Sequence, residues 1–433
     1  MSDQNGPKGD AANLLDRLTF VMFAGGAAFA AYFSMYAFRK PFTAVSYDSV
    51  GDWSFDIDFK ITLVIAQVAG YALSKFIGVK VVSEMGRERR GAAIVGLISL
   101  SWLALVLFAV APTPWKPLAL LLNGLPLGMI WGLVFGYLEG RRLSDVLGAI
   151  LCASFIVSSG ATKSVGVWLI SRFDVTELWM PAATGLVFLP LLLASIWGLS
   201  RVPPPDADDV AERMHRGPMR AADRRSFFAA YWPGLSVLVA SYVLFTVIRD
   251  FRDNFAAEIW RDLGYEGVSG VFTASEAPIA GATLLLLGAI VAVRNNRRAL
   301  LLINGVVLLG SAMILVSTAA FQAGALSPLS WMILAGMGLY FAYTPFNAMF
   351  FDRLVAASGQ VGTAGFLIYV ADASGYLGSV VVMLVRNFVP VEIEWVDFYL
   401  GLSYAGGGLA LILMSSSALY FGRRLAGAAR PHD

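Results

Sequence analysis

The sequence contains very little cysteine or histidine. Cys152 is the single cysteine, so an intramolecular disulfide framework is excluded, and we expect this side chain to be a small packing residue. The two histidines, His215 and His432, fall in a polar connection and in the C-terminal tail, away from the apolar segments. The apolar segments contain no Cys/His cluster, no glycine-rich phosphate loop, and no set of serine, histidine and acid. We therefore expect no metal, no cofactor and no enzymatic activity.

Charged residues are also scarce. They make up 14% of the 433 residues, against about 25% in an average soluble domain. Hydrophobic residues make up 58%, and the mean hydropathy is +0.68. This composition predicts an all-α polytopic membrane protein whose partner is the lipid bilayer and not a nucleic acid. The polar stretch 1–17 lacks the features of a secretory signal, so we expect the first membrane helix to stay in the mature protein.

Long apolar runs divide the chain into two similar halves. A spanning helix needs roughly 20 mainly apolar residues, and about twelve segments meet this rule. The predicted spans are 18–42, 60–83, 92–111, 117–139, 147–171, 177–199, 228–250, 267–292, 299–320, 329–351, 362–385 and 396–421. A proline- and arginine-rich linker at 201–226 separates a first six-helix bundle (1–200) from a second one (227–433). Glycines such as Gly70 and Gly124 predict close packing of the helices.

Arginines cluster in alternate loops. Those that follow spans two, four, eight, ten and twelve are Arg87, Arg89, Arg90, Arg141, Arg142, Arg294, Arg297, Arg298, Arg353, Arg423 and Arg424. The linker is also rich in arginine, and the opposite loops hold fewer basic residues. The positive-inside rule therefore places both termini in the cytoplasm, and we expect the plasma (inner) membrane of the cell. Two six-span halves with both ends inside are typical of transporters built from parallel repeats.

Two cations, Arg39 and Lys40, end the first apolar segment. A charge deep in the bilayer costs about 2.5–3.5 kcal/mol on insertion scales, so such residues tend to be functional. Arg249 stands at the comparable place in the second half. If the halves are related by an axis along the membrane normal, Arg39 and Arg249 converge on one site that suits phosphate or carboxylate oxygens. The alternatives are that Arg39 reaches the headgroups, and that Asp250 or Asp253 neutralises Arg249.

The other ionisable residues in the spans each have two roles open to them. Lys40 is either a ligand contact or an interfacial lysine, because adjacent helical residues point about 100° apart. Lys163 either lines the cavity or pairs with an acid such as Asp372. Glu276, Asp372 and Asp253 either couple transport to protons or balance nearby cations.

Aromatic residues in the spans are candidate ring and hydroxyl contacts of the same site. These residues are Tyr32, Tyr36, Trp131, Tyr340, Tyr343 and Tyr369. Most aromatics in membrane spans pack or lie at the interface. Among these we retain Tyr36 as a candidate substrate contact.

Short stretches spread over most of the chain form a recognisable set. They are Tyr36–Phe42, Gly70–Ile77, Asn123–Trp131, Ser275–Leu284, Gly362–Phe366 and Gly375–Gly378. They resemble the major facilitator superfamily, and within it the organophosphate:phosphate antiporters of the glycerol-3-phosphate and hexose-phosphate type. The resemblance implies alternating access by rocking of two halves around a central phosphate-binding site. It implies that Arg39 and Arg249 are the family's paired substrate arginines, with Lys40 its neighbouring lysine and Glu276 its eighth-helix acid.

The sequence departs from that family's pattern at two places. After the second span, Gly78–Arg90 keeps the basic end, but Ser83 and Glu84 replace the expected aspartate. In the fifth span, Ser158 stands near the position of the family's substrate histidine, and Lys163 follows about one and a half turns later. Both departures bear on the substrate and on the exchange mechanism.

The pattern as a whole indicates a secondary transporter of a small organic anion, phosphorylated or carboxylated, with Arg39 and Arg249 as its clamp. Inorganic phosphate or a proton is the expected coupling ion. One alternative is proton-coupled transport of another small solute through Glu276 or Asp372. A non-transporting membrane sensor is a third interpretation, which the short linker disfavours. We expect a monomer.

Overall fold

The regular structure of this protein is helical. The computed structural model describes residues 7–83, 85–139, 143–205, 221–358, 365–388 and 393–427. All secondary-structure elements within these ranges are helices. The all-α class predicted from composition is therefore confirmed.

The helices fall into two sets along the chain. The N-terminal bundle contains α1 (Pro7–Tyr36), α2 (Phe59–Ser83), α3 (Arg87–Val110), α4 (Lys116–Leu127), α5 (Ile130–Phe135), α6 (Ser144–Phe173) and α7 (Met180–Arg201). The C-terminal bundle contains α8 (Ala221–Asn254), α9 (Ala256–Asp262), α10 (Val271–Val291), α11 (Asn296–Gln322), α12 (Pro328–Pro345), α13 (Phe351–Ala357), α14 (Gly365–Phe388) and α15 (Trp395–Gly427). Short 3-10 helices lie at Pro41–Ala44 and Thr113–Trp115, and a π-helix at Phe346–Phe350 joins α12 to α13. Most of the predicted linker, 206–220, lies outside the described residues.

Each of the twelve predicted spans overlaps helical structure. Among the described residues, nine helices are long and apolar enough to cross a membrane. The other three predicted spans correspond to α2, to the stretch from α12 to α13, and to α14. In α2, Lys60 and Lys75 lower the apolar character of a 25-residue helix. The predicted multi-pass membrane protein is therefore confirmed.

The predicted C-terminal end of the first span, residue 42, is wrong. The α1 helix ends at Tyr36, and Arg39 and Lys40 lie in the turn that leads to the 3-10 helix beginning at Pro41. A proline has no N–H to continue the helical ladder, and its ring clashes with the carbonyl group four residues earlier. Arg39 and Lys40 are therefore not neighbours on a helix, and the expected angle between them does not apply.

Small residues allow close contact within and between the bundles. The α2 and α4 helices pack together at Gly124, where an added Cβ would collide with the backbone carbonyl of Gln67. The bundles meet where α6 packs on α10 and where α2 packs on α14. At Gly160 of α6, an added Cβ would collide with the backbone carbonyl of Phe272 in α10. The small residues therefore let the two bundles approach closely, and ionisable side chains from both halves meet in this interface.

Candidate functional site

The turn after α1 is held by buried amide side chains. It leaves backbone carbonyl groups that a continuing helix would have bonded. Asn123 Nδ2 donates to the Phe38 carbonyl at 3.0 Å, and Gln67 Nε2 donates to the Arg39 carbonyl at 2.9 Å. Gln67 Nε2 also donates to Asn123 Oδ1 at 2.7 Å, and Asn123 Nδ2 donates to Ser101 Oγ at 2.7 Å. Because satisfied buried networks rigidify their surroundings, Arg39 stands on a fixed backbone.

The Arg39 side chain is buried against aromatic rings. The residue is 8% exposed, and its guanidinium carbon lies 3.9 Å from the centroid of the Tyr71 ring and 5.7 Å from that of Tyr36. Among the described residues no carboxylate forms an ion pair with it, and its Nε has no hydrogen-bond partner. Cation–π contact offsets part of the cost of burial but leaves the charge uncompensated. Arg39 therefore does not reach the headgroups, and its free donor and charge suit an anion.

Arg249 is neutralised by its neighbour in the chain. Its Nη2 lies 2.6 Å from Asp250 Oδ1, and its Nε donates to the same oxygen at 3.1 Å. Asp250 Oδ2 accepts a hydrogen bond from Ser379 at 2.8 Å. Arg249 Nη1 donates to the Tyr343 hydroxyl, and the guanidinium carbon lies 4.3 Å from that ring's centroid. In this conformation Arg249 therefore belongs to a balanced pair, as one of the two alternatives expected.

Tyr36 lies near both arginines. Its hydroxyl interacts electrostatically with the charges of Arg39, Arg249 and Asp253. Its ring is buried and packs edge-on against Tyr32, with the centroids 5.5 Å apart. The structure thus brings Tyr36, Arg39 and Arg249 into one region, whereas their role in binding stays a prediction.

Lys40 and Lys163 share one carboxylate from the opposite bundle. The Asp253 carboxylate lies 2.5 Å from Lys40 Nζ and 2.7 Å from Lys163 Nζ. Both lysines are buried, so the interfacial alternative for Lys40 is wrong. Lys163 pairs with an acid, as one of its two alternatives expected, but the acid is Asp253 at the C-terminal end of α8 and not Asp372.

Asp372 and Glu276 each balance a cation. Asp372 Oδ2 pairs with Lys75 of α2, and its Oδ1 accepts a hydrogen bond from the Tyr242 hydroxyl. Glu276 pairs with Arg252 inside the C-terminal bundle. Charge balance is therefore what both acids do in this conformation, and proton coupling stays a prediction.

A narrow polar cavity adjoins these ion pairs. Its lining includes Lys163, Asp253, Ser275 and Glu276, and its volume is about 10 Å³, which is room for about one water molecule. The buried Oε2 of Glu276 has no hydrogen-bond partner among the described residues. An organic solute can occupy this place only after the bundles move apart.

Among the described residues, the buried and half-buried ion pairs between the bundles have one polarity. In each of them a lysine of the N-terminal bundle meets a carboxylate of the C-terminal bundle. The pairs are Lys40–Asp253, Lys163–Asp253, Lys75–Asp372 and Lys60–Glu258. The more exposed pair Arg261–Asp48, at 2.7 Å, has the reverse polarity. Separation of the bundles therefore leaves positive charge on one wall of the cleft and negative charge on the other.

Sequence reasoning missed the residues that support the charges. Gln67 and Asn123 position the backbone of Arg39, and Tyr71 lies under its guanidinium. Tyr242 connects Asp372 to the C-terminal bundle. A signal was available for the two amides, because each interrupts a predicted apolar span. The two tyrosines had no such signal, since aromatics are common in membrane helices. Of the aromatic candidates, Tyr369 lies outside the residues whose side chains are described.

Comparison with known proteins identifies a family and a fold. Residues 41–424 match the model of a family of unknown function (DUF5690). No curated protein matches the sequence. A D-xylose–proton symporter has a similar structure, with a TM-score of 0.63, 15% identity, and coverage of 92% of this chain and 97% of that chain.

Two further solved structures are similar over most of their length. One is a bacterial homologue of the human drug peptide transporters PepT1 and PepT2, with a TM-score of 0.61, 14% identity, and coverage of 94% and 99%. The other is the nucleoside transporter NupG, with a TM-score of 0.59, 14% identity, and coverage of 92% and 98%. At this identity the likeness shows the fold alone. It confirms the major facilitator fold of two six-helix bundles that the resemblance implied.

Proposed function

Because this chain belongs to a family of unknown function (DUF5690) and has the major facilitator fold, we propose that it is a secondary transporter of a small organic anion, phosphorylated or carboxylated. Transport proceeds by alternating access of the two bundles around a central site. One observation supports an anionic substrate: Arg39 is buried and has no carboxylate partner among the described residues. A permanent charge in that position is costly unless a ligand uses it.

The other candidate residues join Arg39 as the bundles move. Arg249 completes the clamp as a pair with Asp250, so it contributes geometry more than net charge. Lys40 and Lys163 become available to the anion when Asp253 leaves with the C-terminal bundle. Tyr36 borders the same region.

Exchange against inorganic phosphate is the coupling that the antiporter resemblance implies, and it forms part of the proposal. Proton coupling through Asp372 is a second candidate, favoured by its ion pair with Lys75 across the bundles. An anion that takes over Lys75 displaces Asp372 from this ion pair, so anion binding is linked to the pairing of this acid. Glu276, whose Oε2 has no hydrogen-bond partner in the described part of the chain, is the corresponding acid on α10.

The proposed setting is the plasma (inner) membrane with both termini in the cytoplasm. The arginine-rich loops at one end of the spans support this orientation. The monomer is the proposed functional unit, because the site is built between the two halves of one chain.

The test combines a ligand screen with transport. The full-length protein is screened by thermal shift against phosphorylated and carboxylated metabolites, because a ligand that binds only the native state raises its apparent stability. Anions that bind are then assayed for uptake and counterflow in proteoliposomes. We expect Arg39→Gln to reduce uptake about 10- to 100-fold, the range for loss of a hydrogen bond to a charged group. Arg172→Gln, at the exposed end of α6, is the matched control and should leave uptake unchanged.

Each outcome has a separate meaning. Unchanged affinity and uptake in Arg39→Gln would contradict the anion site. Accumulation driven by a pH gradient and lost in Asp372→Asn or Glu276→Gln would replace phosphate exchange by proton coupling. Binding without counterflow would favour a sensor over a transporter.

A further inference from the structure

Three arginines are exposed in the short connection between α10 and α11. Arg294 follows α10, which ends at Val291, and Arg297 and Arg298 lie in the first turn of α11. In the described part of the chain none of the three pairs with a carboxylate, and the first turn of α11 contains no acid. Like charges so close together repel one another, so this group, the α10–α11 patch, favours an anionic partner.

One face of α11 continues from Arg298 as an exposed apolar surface. Residues 11 and 18 positions apart return to about the same side of an α-helix, so Arg298 shares a side with Leu309 and Val316. These two side chains are 53% and 67% exposed in a helix apolar enough to cross a membrane. The stretch from Arg298 to Val316 is about 27 Å long, close to the thickness of the hydrocarbon core. The face therefore contacts lipid, and Arg298 lies at the level of the headgroups.

The neighbouring helix presents a similar surface below the patch. The α10 helix is also apolar enough to span, it contacts α11, and its Leu285 is 78% exposed. Leu301 of α11, one turn from the patch, is 55% exposed. The α10–α11 patch therefore stands where the lipid-facing surfaces of two helices meet the aqueous phase.

Several other arginines at the same end of the spans are used by the protein itself. Arg87 and Arg90 donate to backbone carbonyl groups, and Arg353 Nη1 donates to Asn296 Oδ1 at 2.7 Å. The guanidinium groups of the α10–α11 patch make no such hydrogen bond to any described residue. All three are therefore available to an external anion.

We propose that the α10–α11 patch binds the headgroup of an anionic phospholipid, whose acyl chains lie along the exposed faces of α10 and α11. Guanidinium groups bind phosphate oxygens in a bidentate way, and a lipid alone also covers the apolar faces below them. In the proposed orientation the patch faces the cytoplasmic leaflet, which is the anionic one. The inference goes beyond the proposed transport function and is independent of the substrate.

The test compares two lipids that differ in the charge of their headgroup. Native mass spectrometry of the full-length protein in detergent measures the affinity for dioleoylphosphatidylglycerol and for dioleoylphosphatidylcholine, which have the same acyl chains. The wild-type protein should bind the anionic lipid at least about tenfold more tightly, and Arg297→Gln/Arg298→Gln should lose about fivefold for each arginine removed. Arg423→Gln/Arg424→Gln removes the same charge at the exposed end of α15 and should keep the preference.

Three results would overturn the lipid site. Equal affinity of the wild-type protein for both lipids would show that the patch does not select a charged headgroup. Equal losses in the two double variants would mean that total charge, and not this patch, attracts the anionic lipid. Displacement of the lipid by inorganic phosphate would assign the arginines to a soluble anion. Uptake through the site at Arg39 is measured separately, so failure of the lipid site leaves the proposed function standing.

Discussion

Three buried cations of this protein are stabilised in different ways. Arg39 lies on an aromatic ring, Arg249 pairs with the next residue, and Lys60 pairs with a carboxylate of the other bundle. Of these three residues, Arg39 alone is available to a ligand without breaking an ion pair. For this reason Arg39, and not Arg249, is the centre of the proposed site.

The ring under Arg39 should tune anion binding. Tyr71→Leu removes the cation–π contact and should weaken the affinity of any anion that binds at Arg39 by about 2- to 30-fold, the range that corresponds to a partly desolvated cation–π contact. Tyr71→Phe keeps the ring and should have a smaller effect. Titration of both variants by thermal shift measures the two affinities, and equal losses would show that the hydroxyl rather than the ring matters.

Loss of the Asp253 charge should destabilise the closed bundles. Asp253→Asn leaves Lys40 and Lys163 buried without a counter-charge, and breaking a buried pair in this way costs about 3–5 kcal/mol. We expect a lower melting temperature in detergent than for Asp397→Asn, a change at an exposed acid of α15. The double variant Lys163→Met/Asp253→Asn should lose less stability than the sum of the single variants, because it removes part of the unpaired charge. Additive losses would mean that the residues act independently.

At the scale of elements, helix ends and breaks place the site. Arg39 faces the aromatic rings because α1 stops at Tyr36 and the chain turns before Pro41. The turn exposes carbonyl groups that Gln67 and Asn123 then bind. Pro41 was visible in the sequence, but hydropathy alone extends the span through it, and the partners of the freed carbonyl groups lie on two other helices.

The contact of α2 with α4 should tolerate no side chain at Gly124. A Cβ there would meet the Gln67 carbonyl and, at 2.9 Å, the Tyr71 backbone nitrogen. Gly124→Ala should therefore lower stability by about 1–3 kcal/mol and weaken anion binding, because α2 and α4 carry the amides that hold Arg39. Gly96→Ala on α3, where the added Cβ meets no atom within 4 Å, is the control and should be neutral. The melting temperatures of the two variants test this prediction, and equal values would contradict the close packing at Gly124.

At the scale of the molecule, the bundles are joined at the end of the spans opposite both termini. Lys60 Nζ lies 2.6 and 2.7 Å from the two Glu258 oxygens and donates to the Thr43 carbonyl at 3.0 Å. Asn387 of the C-terminal bundle accepts from the Asp58 backbone N–H at 2.7 Å. Alternating access requires these contacts to break when that end opens.

Removal of the Lys60–Glu258 pair should favour opening at that end. In a Cys152→Ser background, a cysteine introduced by Thr43→Cys, at a fully buried position, should react slowly with a membrane-impermeant thiol reagent. Glu258→Gln should increase the labelling rate about tenfold or more, because loss of one partner of a buried pair costs several kcal/mol in the closed state. Labelling at Ser54→Cys, an exposed position nearby, should not change. An equal rate at Thr43→Cys with and without Glu258→Gln would show that the pair does not hold this end closed.

The sequence by itself determined the class of the protein and the places where charge enters the membrane. Apolar length is a local property, so the twelve spans were predictable, and a cation such as Arg39 stands out against an apolar run without knowledge of the fold. The tertiary structure decided which charges are free. Asp253 meets Lys40 and Lys163, and Tyr71 meets Arg39, because helices far apart in the chain pack side by side. Hydropathy and spacing describe one helix at a time, whereas the energy of a buried charge depends on the atoms that other helices place beside it.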